Sequence, residues 1–315
     1  MPDTAVIVCC HLVERWELLL RALDSLWNQT RPPDEVVVVV DGDEQLLARL
    51  FERGGKETIL TTGRRSGLSN ARNVGLAAVN TEFVGFLDDD AVADPGWLAA
   101  LQEALESDPN VLGAGGIALP EWEGVPWEAQ RADTAGAAGT AWGGPRWFPR
   151  ELLWTVGCTH GDHVPARIRN LFGGCALFRR SVFDTVGGFD TRLGRRHRGG
   201  AGCEETELCM RARAALPDGY FLLVPQATMR HRVHRDRQRL GYVLRRCRDE
   251  GRSKATLRRI APPMPRSSTT GLGPEFEYLT KVLPRGVAAG VRAALHGDPY
   301  GLARAGTLIA ASATT

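Results

Sequence analysis

Five consecutive valines, Val36–Val40, place the strongest constraint on the fold of this 315-residue chain. Valine favours extended strands, and the run has no polar residue that could face water at alternate positions. Such a strand has to be covered on both faces, as in a parallel sheet with helices above and below it. Two further runs, Ala5–Cys10 and Phe83–Leu87, have the same apolar character. The segments between these runs carry apolar residues at helical spacing, and this alternation of strands and helices predicts a doubly wound parallel α/β sheet over residues 5–105.

The composition is that of a globular chain with one large domain or two fused domains. Hydrophobic residues make up 43% of the sequence, which is enough for a sizeable core. The formal net charge of +2 argues neither for nor against a polyanionic partner, and we expect no nucleic-acid partner.

Three features of the sequence favour the cytoplasm. The opening Met1–Asp3 lacks the basic region with which a secretory signal begins. The seven cysteines are odd in number and have no C-x-x-C spacing, which fits a reducing compartment. No apolar run approaches the ~18 residues that a membrane span needs. We therefore expect a cytoplasmic protein that associates with membranes peripherally at most.

Three consecutive carboxylates, Asp88–Asp90, follow the apolar run Phe83–Leu87. In open α/β sheets, ligands bind outside the carboxyl ends of the strands, and Asp41 ends the valine strand at the same edge. Three acids at one point repel one another unless a cation lies between them. A hard divalent cation, with a phosphate completing its coordination, fits this arrangement. The alternative is a solvated acidic turn before the next helix.

Two segments place polar groups at predicted helix starts. Ser69 is a candidate N-cap for a helix that runs to about Ala78. Glu204 and Glu205 begin another helix after a glycine-rich loop, where the helix dipole favours acidic side chains. Glu207 is two positions further and is predicted to face another way. Glu205 is therefore either a candidate general base or an acid that only stabilises the helix start.

The second half of the chain alternates less regularly. Short strands are predicted at 111–119, 171–178, 220–224 and 227–229, and the last of them leads to His231. Four tryptophans within residues 120–150 either form a platform for a sugar or apolar acceptor or pin this loop to the core. The arginine-rich residues 230–259, predicted helical from 240, are either a solvated helix face or a surface that faces phosphate or lipid.

Five of these segments, in this order, resemble the inverting glycosyltransferases of family 2, which have the nucleotide-sugar-binding GT-A fold. The resemblance covers residues 4–235, and Tyr242–Ala255 resembles more weakly a tail of actinobacterial members. The matching segments are a strand with a nucleotide-binding aspartate, a G-x-S-x-A-R-N segment, a metal-binding D-x-D, a G-G-F-D turn and an E-D-x-x-L-x-x-R segment. In this sequence they are Val36–Asp41, Gly67–Asn73, Leu87–Asp90, Gly187–Asp190 and Glu204–Arg211.

The resemblance implies an α/β GT-A fold with a mostly parallel central sheet and a helical C-terminal extension. It implies a glycosyltransferase domain over residues 1–235, with a nucleotide-binding half to about 110 and an acceptor half from 111. Residues 236–315 would form a helical, basic extension. The implied reaction moves a sugar from a nucleotide diphosphate, with UDP as the expected nucleotide, to a hydroxyl of a glycan, lipid carrier or natural product. The basic extension hints at peripheral membrane association.

The resemblance also implies roles for individual residues. Mn²⁺ or Mg²⁺ would be held by Asp88 and Asp90, with His231 completing the shell. Asp89 would be a spacer beside the bound nucleotide sugar, which Asp41, Arg72 and Cys10 would also contact. Glu205 would be the general base, with Glu204 as the second candidate. These implied site residues are Cys10, Asp41, Arg72, Asp88, Asp89, Asp90, Glu204, Glu205 and His231.

The sequence departs from the family pattern at two places. Cys9–Leu12 stands where the family often has a Pro-Thr-Tyr-Asn type of turn, which leaves the contact between Cys10 and the base of the nucleotide open. Glu205 stands where the family usually has an aspartate, and glutamate is one methylene longer.

Two other functions fit the sequence less well. A nucleotidyltransferase is expected to carry a glycine-rich, Lys/Arg-bearing segment after the first strand, and Cys10–Val13 does not match it. A non-catalytic nucleotide- or carbohydrate-binding module would not need the acids Asp88, Asp90 and Glu205.

Overall fold

A computed structural model describes residues 3–64, 66–132, 143–160, 164–195, 202–261 and 273–314. The chain forms two compact units. The first comprises Met1–Ile117, Val164–Arg230 and Thr256–Met264, and the second comprises Ala118–His163, His231–Ala255 and Pro265–Thr315. The division of the sequence into residues 1–235 and 236–315 stays a prediction.

Nine strands form one mixed sheet in the order β3-β2-β1-β4-β8-β6-β9-β5, and β7 pairs with β9. The first four strands of this order are mutually parallel, and β8 is antiparallel to both β4 and β6. The strands are β1 (Thr4–Cys10), β2 (Glu35–Val40), β3 (Thr58–Thr61), β4 (Phe83–Asp88), β5 (Ala91–Ala93), β6 (Val111–Trp122), β7 (Ala166–Ile168), β8 (Cys175–Arg179) and β9 (Tyr220–Val233).

The helices follow the strands in the alternation that the sequence predicts for an α/β fold. They are α1 (Trp16–Trp27), α2 (Glu44–Arg53), α3 (Leu68–Ala78), α4 (Trp97–Ser107), α5 (Trp127–Ala132), α6 (Arg180–Val186), α7 (Glu204–Ala215), α8 (Leu240–Ile260), α9 (Gly273–Glu277), α10 (Leu283–Leu295) and α11 (Gly301–Thr314). Short 3₁₀ turns cover Val13–Arg15, Arg150–Val156 and Arg235–Gln238, and a π-helical turn over Tyr278–Val282 joins α9 to α10. Nowhere in the described ranges is a helix both long enough and apolar enough to span a bilayer.

The valine strand β2 is buried on both faces, as its composition predicts. Each of Val36–Val40 is at most 2% exposed. On one face, helix α3 approaches the sheet closely because it carries Gly75. A Cβ atom at Gly75 would lie 2.7 Å from Cγ2 of Ile7 and 3.1 Å from Cγ2 of Val39. The close contact between α3 and the first two strands therefore depends on a missing methyl group.

Three expectations about local structure are corrected. Ser69 does not cap α3, because the helix already begins at Leu68, and the Ser69 hydroxyl donates instead to the carbonyl of Leu193 at 2.8 Å. The strands predicted at 220–224 and 227–229 are one continuous strand, so that His231 lies within β9. The strand predicted at 171–178 begins only at Cys175, in β8.

The second unit has its own apolar core, built around Trp122 and Phe148, whose rings pack edge to face with centroids 5.3 Å apart. Trp147 and Trp154 pack against this core, and the indole N–H of Trp154 donates to the hydroxyl of Tyr278 at 2.9 Å. Trp122 and Trp147, two of the four tryptophans within residues 120–150, therefore pin this loop to the core of the second unit. Trp127, another tryptophan of the predicted platform, is half-buried. The fourth, at position 142, lies outside the described residues.

We expect Gly75→Ala to destabilise the protein by about 1–3 kcal/mol, because the added methyl group overpacks the contact of α3 with the sheet. Gly306→Ala in α11 is the matched control, since a Cβ there meets no atom within 4 Å. Alanine exceeds glycine in helix propensity, so this control should be neutral or stabilising by about 0.5–1 kcal/mol. Urea unfolding of both variants measures the difference. Equal stability of the two variants would contradict the tight packing at Gly75.

Candidate active site

The carboxylates Asp88–Asp90 lie at the carboxyl end of β4, at the centre of the sheet. Asp88 is half-buried, whereas Asp89 and Asp90 are each 5% exposed. Gly174, just before β8, makes room for Asp88, because a Cβ on that glycine would lie 2.2 Å from the Asp88 carboxyl carbon. The acidic turn is therefore largely buried, and a solvated turn is not what the structure shows.

A residue that the sequence did not single out contacts two of these acids. The Nη1 atom of Arg15 lies 3.0 Å from Oδ1 of Asp89 and 3.1 Å from Oδ2 of Asp90. Burial raises the pKa of Asp89 to about 7 against the opposing charge of Arg15, and the charges of Asp90 and Asp88 add to the rise. No signal in the sequence pairs residues 15 and 89, because they are brought together only by the sheet.

Asp88, Asp90 and His231 form a possible metal-binding group. Each offers one ligand atom, and these atoms lie within 4.8 Å of one another. Two carboxylate oxygens and an imidazole nitrogen are donors that suit Mn²⁺ and related divalent cations. The donor set therefore fits a divalent cation.

The structure distinguishes the two histidines at the end of β9. His231 is 2% exposed and belongs to the group of possible metal ligands. Gly157 lies against its ring, at φ 86°, and a Cβ there would be 2.8 Å from Cε1 of His231. His234 is half-buried, and its Nδ1 lies 3.7 Å from Oε2 of Glu123. The geometry therefore favours His231 as the ligand.

Arg72 on α3 connects the acidic turn to the start of α7. Its Nη2 lies 4.0 Å from Oδ1 of Asp88, and its Nη1 lies 3.1 Å from Oε1 of Glu204. The guanidinium is buried and lies over the rings of Phe86 and Phe189, 5.6 and 5.3 Å from their centroids. Arg72 is thus a buried bridge between two groups of acids rather than a surface ion pair.

The two glutamates at the start of α7 differ in environment. Glu204 is 4% exposed, and burial together with the charge of Glu205 raises its pKa to about 8, against the charge of Arg72. Glu205 is half-buried, and its Oε1 accepts a hydrogen bond from the backbone N–H of Gly173 at 3.2 Å. Its Oε2 is buried and accepts no hydrogen bond from the described residues. Just before them, Cys203 adopts φ 72°, which is strained for a non-glycine residue.

Helix α3 also holds the G-G-F-D turn. The side-chain amide of Asn73 donates to the carbonyl of Phe189 at 2.9 Å and accepts from the N–H of Phe189 at 2.8 Å. The Ser69 hydroxyl bonds the carbonyl of Leu193. Ser69 and Asn73 of the G-x-S-x-A-R-N segment therefore anchor the loop before α7, while Arg72 contacts the acids.

Helix α7 fixes the other side of the same turn. Arg211 pairs with Glu207, with Nε–Oε1 and Nη2–Oε2 distances of 2.6 and 2.8 Å. It also donates to the carbonyls of Val186 and Gly188. Glu207 is therefore engaged with Arg211 and stabilises the turn, and the helical spacing predicts that it faces another way than Glu205.

The residues predicted to contact the nucleotide are engaged within the chain. Asp41 accepts four hydrogen bonds from Thr62, Ser66 and Gly67, at 2.8–2.9 Å. Partial burial raises the pKa of Asp41, but these hydrogen bonds outweigh it and hold the pKa below its ordinary value. The buried Cys10 thiol donates to the carbonyl of Val39 at 3.8 Å, and burial raises its pKa well above the usual range.

The sequence matches the model of the family described as "Glycosyl transferase family 2" over residues 5–187. This match covers more than half of the chain, and the protein belongs to glycosyl transferase family 2. A glucosyl-dolichyl phosphate glucuronosyltransferase from the archaeon Haloferax volcanii is 29% identical over 264 residues, 82% of this chain and 78% of that protein. Because this relative is archaeal, it does not support the resemblance of Tyr242–Ala255 to a tail of actinobacterial members.

Two solved structures show the same fold. The Pyrobaculum calidifontis mannosyltransferase PcManGT, in complex with GDP-Man and Mn²⁺, is 19% identical and has a TM-score of 0.60 over 99% of this chain and 88% of that one. GalNAc-T7 with UDP, GalNAc and Mn²⁺ is 20% identical, with a TM-score of 0.52 over 74% of this chain. This chain spans 43% of the length of GalNAc-T7. The predicted GT-A fold is therefore confirmed.

We expect the stability difference between the wild type and Glu204→Gln to depend on pH. In the unfolded chain the pKa of Glu204 is the ordinary 4.5, and in the folded protein it is about 8. Between these values the folded state binds more protons than the unfolded state, so the contribution of Glu204 to stability is lost as pH rises. The melting temperature of Glu204→Gln should therefore rise relative to that of the wild type from pH 5 to pH 8.

Glu106→Gln, which breaks a surface ion pair with Arg31, is the control and should follow the wild type. A melting temperature of Glu204→Gln that falls relative to the wild type as pH rises would show that Arg72 keeps Glu204 charged.

Proposed function

We propose that the protein is a metal-dependent inverting glycosyltransferase that moves a sugar from a nucleotide diphosphate to a hydroxyl group. The observation that carries this proposal is the position of Arg72, which contacts Asp88 on one side and Glu204 on the other. A donor site at the acidic turn and a base at the start of α7 would thus belong to one site. The fold and the family membership of the chain are consistent with this reaction.

Asp88, Asp90 and His231 would hold the cation, which would neutralise the diphosphate as it leaves. Mn²⁺ is our first choice, because the two solved structures with this fold contain it, and Mg²⁺ is the second. Asp41, Arg72 and Cys10 are proposed to line the nucleotide site, with Asp89 beside it. GDP-Man is bound in one of the two solved structures with this fold and UDP in the other, and UDP remains our expectation for this chain.

Glu205 is proposed as the general base, which takes the proton of the acceptor hydroxyl as that oxygen attacks the sugar. Attack on the side opposite the leaving diphosphate inverts the anomeric carbon in a single displacement. One oxygen of Glu205 is held by Gly173, and the other accepts no hydrogen bond from the described residues. Glu204 is a poorer candidate, because it is paired with Arg72 and its raised pKa leaves it largely protonated at pH 7.

The proposed acceptor is a lipid-linked sugar, and the protein is proposed to bind the membrane surface peripherally. The name of the Haloferax volcanii relative specifies a sugar on dolichyl phosphate. In this chain, exposed large apolar side chains concentrate in residues 273–314, which hold seven of the ten such side chains among the described residues. These seven are Phe276, Leu279, Val291, Leu295, Tyr300, Leu302 and Ile309.

The proposed donor site predicts a metal-dependent rise in melting temperature with one nucleotide diphosphate. A thermal-shift panel of UDP, GDP and dTDP, each with and without Mn²⁺, measures it, since a ligand that binds only the folded state raises the melting temperature. Asp90→Ala should abolish the metal-dependent part, because it removes one of three ligands. A shift that does not depend on metal, or that survives in Asp90→Ala, would contradict the proposed metal site.

Glu205→Gln separates binding from catalysis in the same panel. Because it keeps the hydrogen bond from Gly173 but cannot take a proton, its thermal shift should equal that of the wild type. Its release of nucleotide diphosphate in the presence of acceptor should fall by about 10²–10⁴-fold. Full turnover by this variant would exclude Glu205 as the base.

We expect the protein to sediment with anionic lipid vesicles and the double variant Leu295→Ser/Leu302→Ser to sediment less. These side chains are 81% and 65% exposed, and neither α10 nor α11 carries an acid that would oppose an anionic surface. Phe51→Ser is the matched control, because Phe51 is 62% exposed on α2 of the first unit. Equal sedimentation of all three proteins would rule out this surface as the membrane contact.

A further inference from the structure

Arg15 is held by a short turn that is fixed at the end of β1. The turn Val13–Arg15 closes with a hydrogen bond from the Arg15 N–H to the carbonyl of Leu12 at 3.1 Å. The N–H of Val13 donates to Oδ2 of Asp43 at 3.0 Å, and the other oxygen of Asp43 caps helix α2 through Leu46. The backbone of the turn is thus tied to α2, which fixes the point from which the Arg15 side chain extends.

The guanidinium of Arg15 occupies a position between two buried carboxylates. Its side chain is 17% exposed, and those of Asp89 and Asp90 are 7% and 3% exposed. One nitrogen lies within 3.1 Å of an oxygen of each acid. At this burial the two acids would repel each other strongly without a cation, and arginine supplies one that stays charged at every accessible pH.

The charges at the turn also set what else can bind there. Asp88–Asp90 carry three negative charges when all three are ionised, and Arg15 offsets one of them. Two remain, which matches a divalent cation held by Asp88 and Asp90. Arg72 lies further from the turn than Arg15 does, with its Nη2 4.0 Å from Oδ1 of Asp88.

We propose that Arg15 is a positioning residue, which holds Asp89 away from the cation and fixes the carboxylate of Asp90 for metal binding. Because Asp90 is a metal ligand only under the proposed function, the role of Arg15 rests on that function. The contact of Arg15 with Asp89 is a hydrogen bond, and its contact with Asp90 is an ion pair. Groups that orient metal ligands typically change metal affinity by roughly 10–100-fold when they are removed.

The direction in which Mn²⁺ affinity changes when Arg15 is removed distinguishes a positioning role from a purely electrostatic one. If Arg15 acted only as a nearby positive charge, its removal would strengthen binding of a cation. If it positions Asp90, its removal weakens binding, because the carboxylate of Asp90 loses the ion pair with Arg15 that helps to fix its orientation. We therefore expect Arg15→Gln to weaken binding of Mn²⁺ alone by about 10-fold or more, measured by the electron paramagnetic resonance of free Mn²⁺.

Two variants and one control complete the test. Arg15→Lys keeps the charge and should recover part of the affinity. Arg15→Gln/Asp89→Asn removes the unpaired acid together with the arginine, so it should fold even where Arg15→Gln does not, and it should still bind Mn²⁺ weakly. Arg31→Gln, which breaks the surface pair with Glu106, should bind as the wild type does.

The outcomes separate the two proposals. Wild-type affinity, or tighter binding, in Arg15→Gln and in the double variant would overturn the role of Arg15 while leaving the metal site intact, provided that Asp90→Ala loses binding. A wild-type protein that binds no Mn²⁺, alone or with a nucleotide diphosphate, would overturn both.

Discussion

The repulsion between buried carboxylates is the interaction on which this site depends. Two acids of the turn after β4 and one acid at the start of α7 are almost completely buried, and each group is compensated by one arginine. Arg15 contacts Asp89 and Asp90, and Arg72 contacts Glu204 and lies 4.0 Å from Asp88. Breaking a buried ion pair by removing one partner is strongly destabilising, because it leaves an uncompensated charge. Both arginines are therefore part of the fold as well as of the site.

Two adjacent glycines bring these charged groups close together. A Cβ on Gly174 would overlap the carboxyl group of Asp88, and a Cβ on Gly173 would lie 2.8 Å from a guanidinium nitrogen of Arg72. The N–H of Gly173 donates to Glu205. Side chains at either position would separate the acidic turn from the start of α7. The segment between β7 and β8 thus contributes to the candidate site because Gly173 and Gly174 have no side chains and because the N–H of Gly173 donates a hydrogen bond.

Much of the fold was predictable because buried strands have a simple pattern. Val36–Val40 has no polar position, so its burial on both faces followed from composition alone. The same reasoning failed for β9, where Pro225 and Gln226 resemble a break between two strands. Proline can occupy a strand at positions where its missing N–H is not required. A sequence pattern cannot distinguish a proline within a strand from one that ends a strand, because the difference depends on how the neighbouring strand pairs at that position.

The sequence singles out residues of the candidate site where carboxylates cluster, and it does not reveal contacts that join distant segments. The acids at 88–90 stand out because three consecutive carboxylates at a strand end repel one another unless a cation lies between them, and those at 204–205 stand out because they match the E-D-x-x-L-x-x-R segment of the family. Arg15 does not stand out, because its partner Asp89 is 74 residues away and many arginines have surface partners. Ser69 has a plausible local role as a cap, yet it bonds Leu193.

Glu205 shows how a departure from a family pattern is accommodated by its surroundings. A glutamate is longer than the usual aspartate, so its carboxylate lies further from the helix backbone and needs space and a hydrogen-bond donor there. Gly173 supplies both, because a Cβ there would lie 3.1 Å from Oε1 of Glu205 and its N–H donates to the same oxygen. The strained Cys203 is the N-cap residue of α7, directly before both glutamates. Glycine at 173 and glutamate at 205 therefore have to be considered as a pair, since an alanine at 173 would crowd the longer side chain.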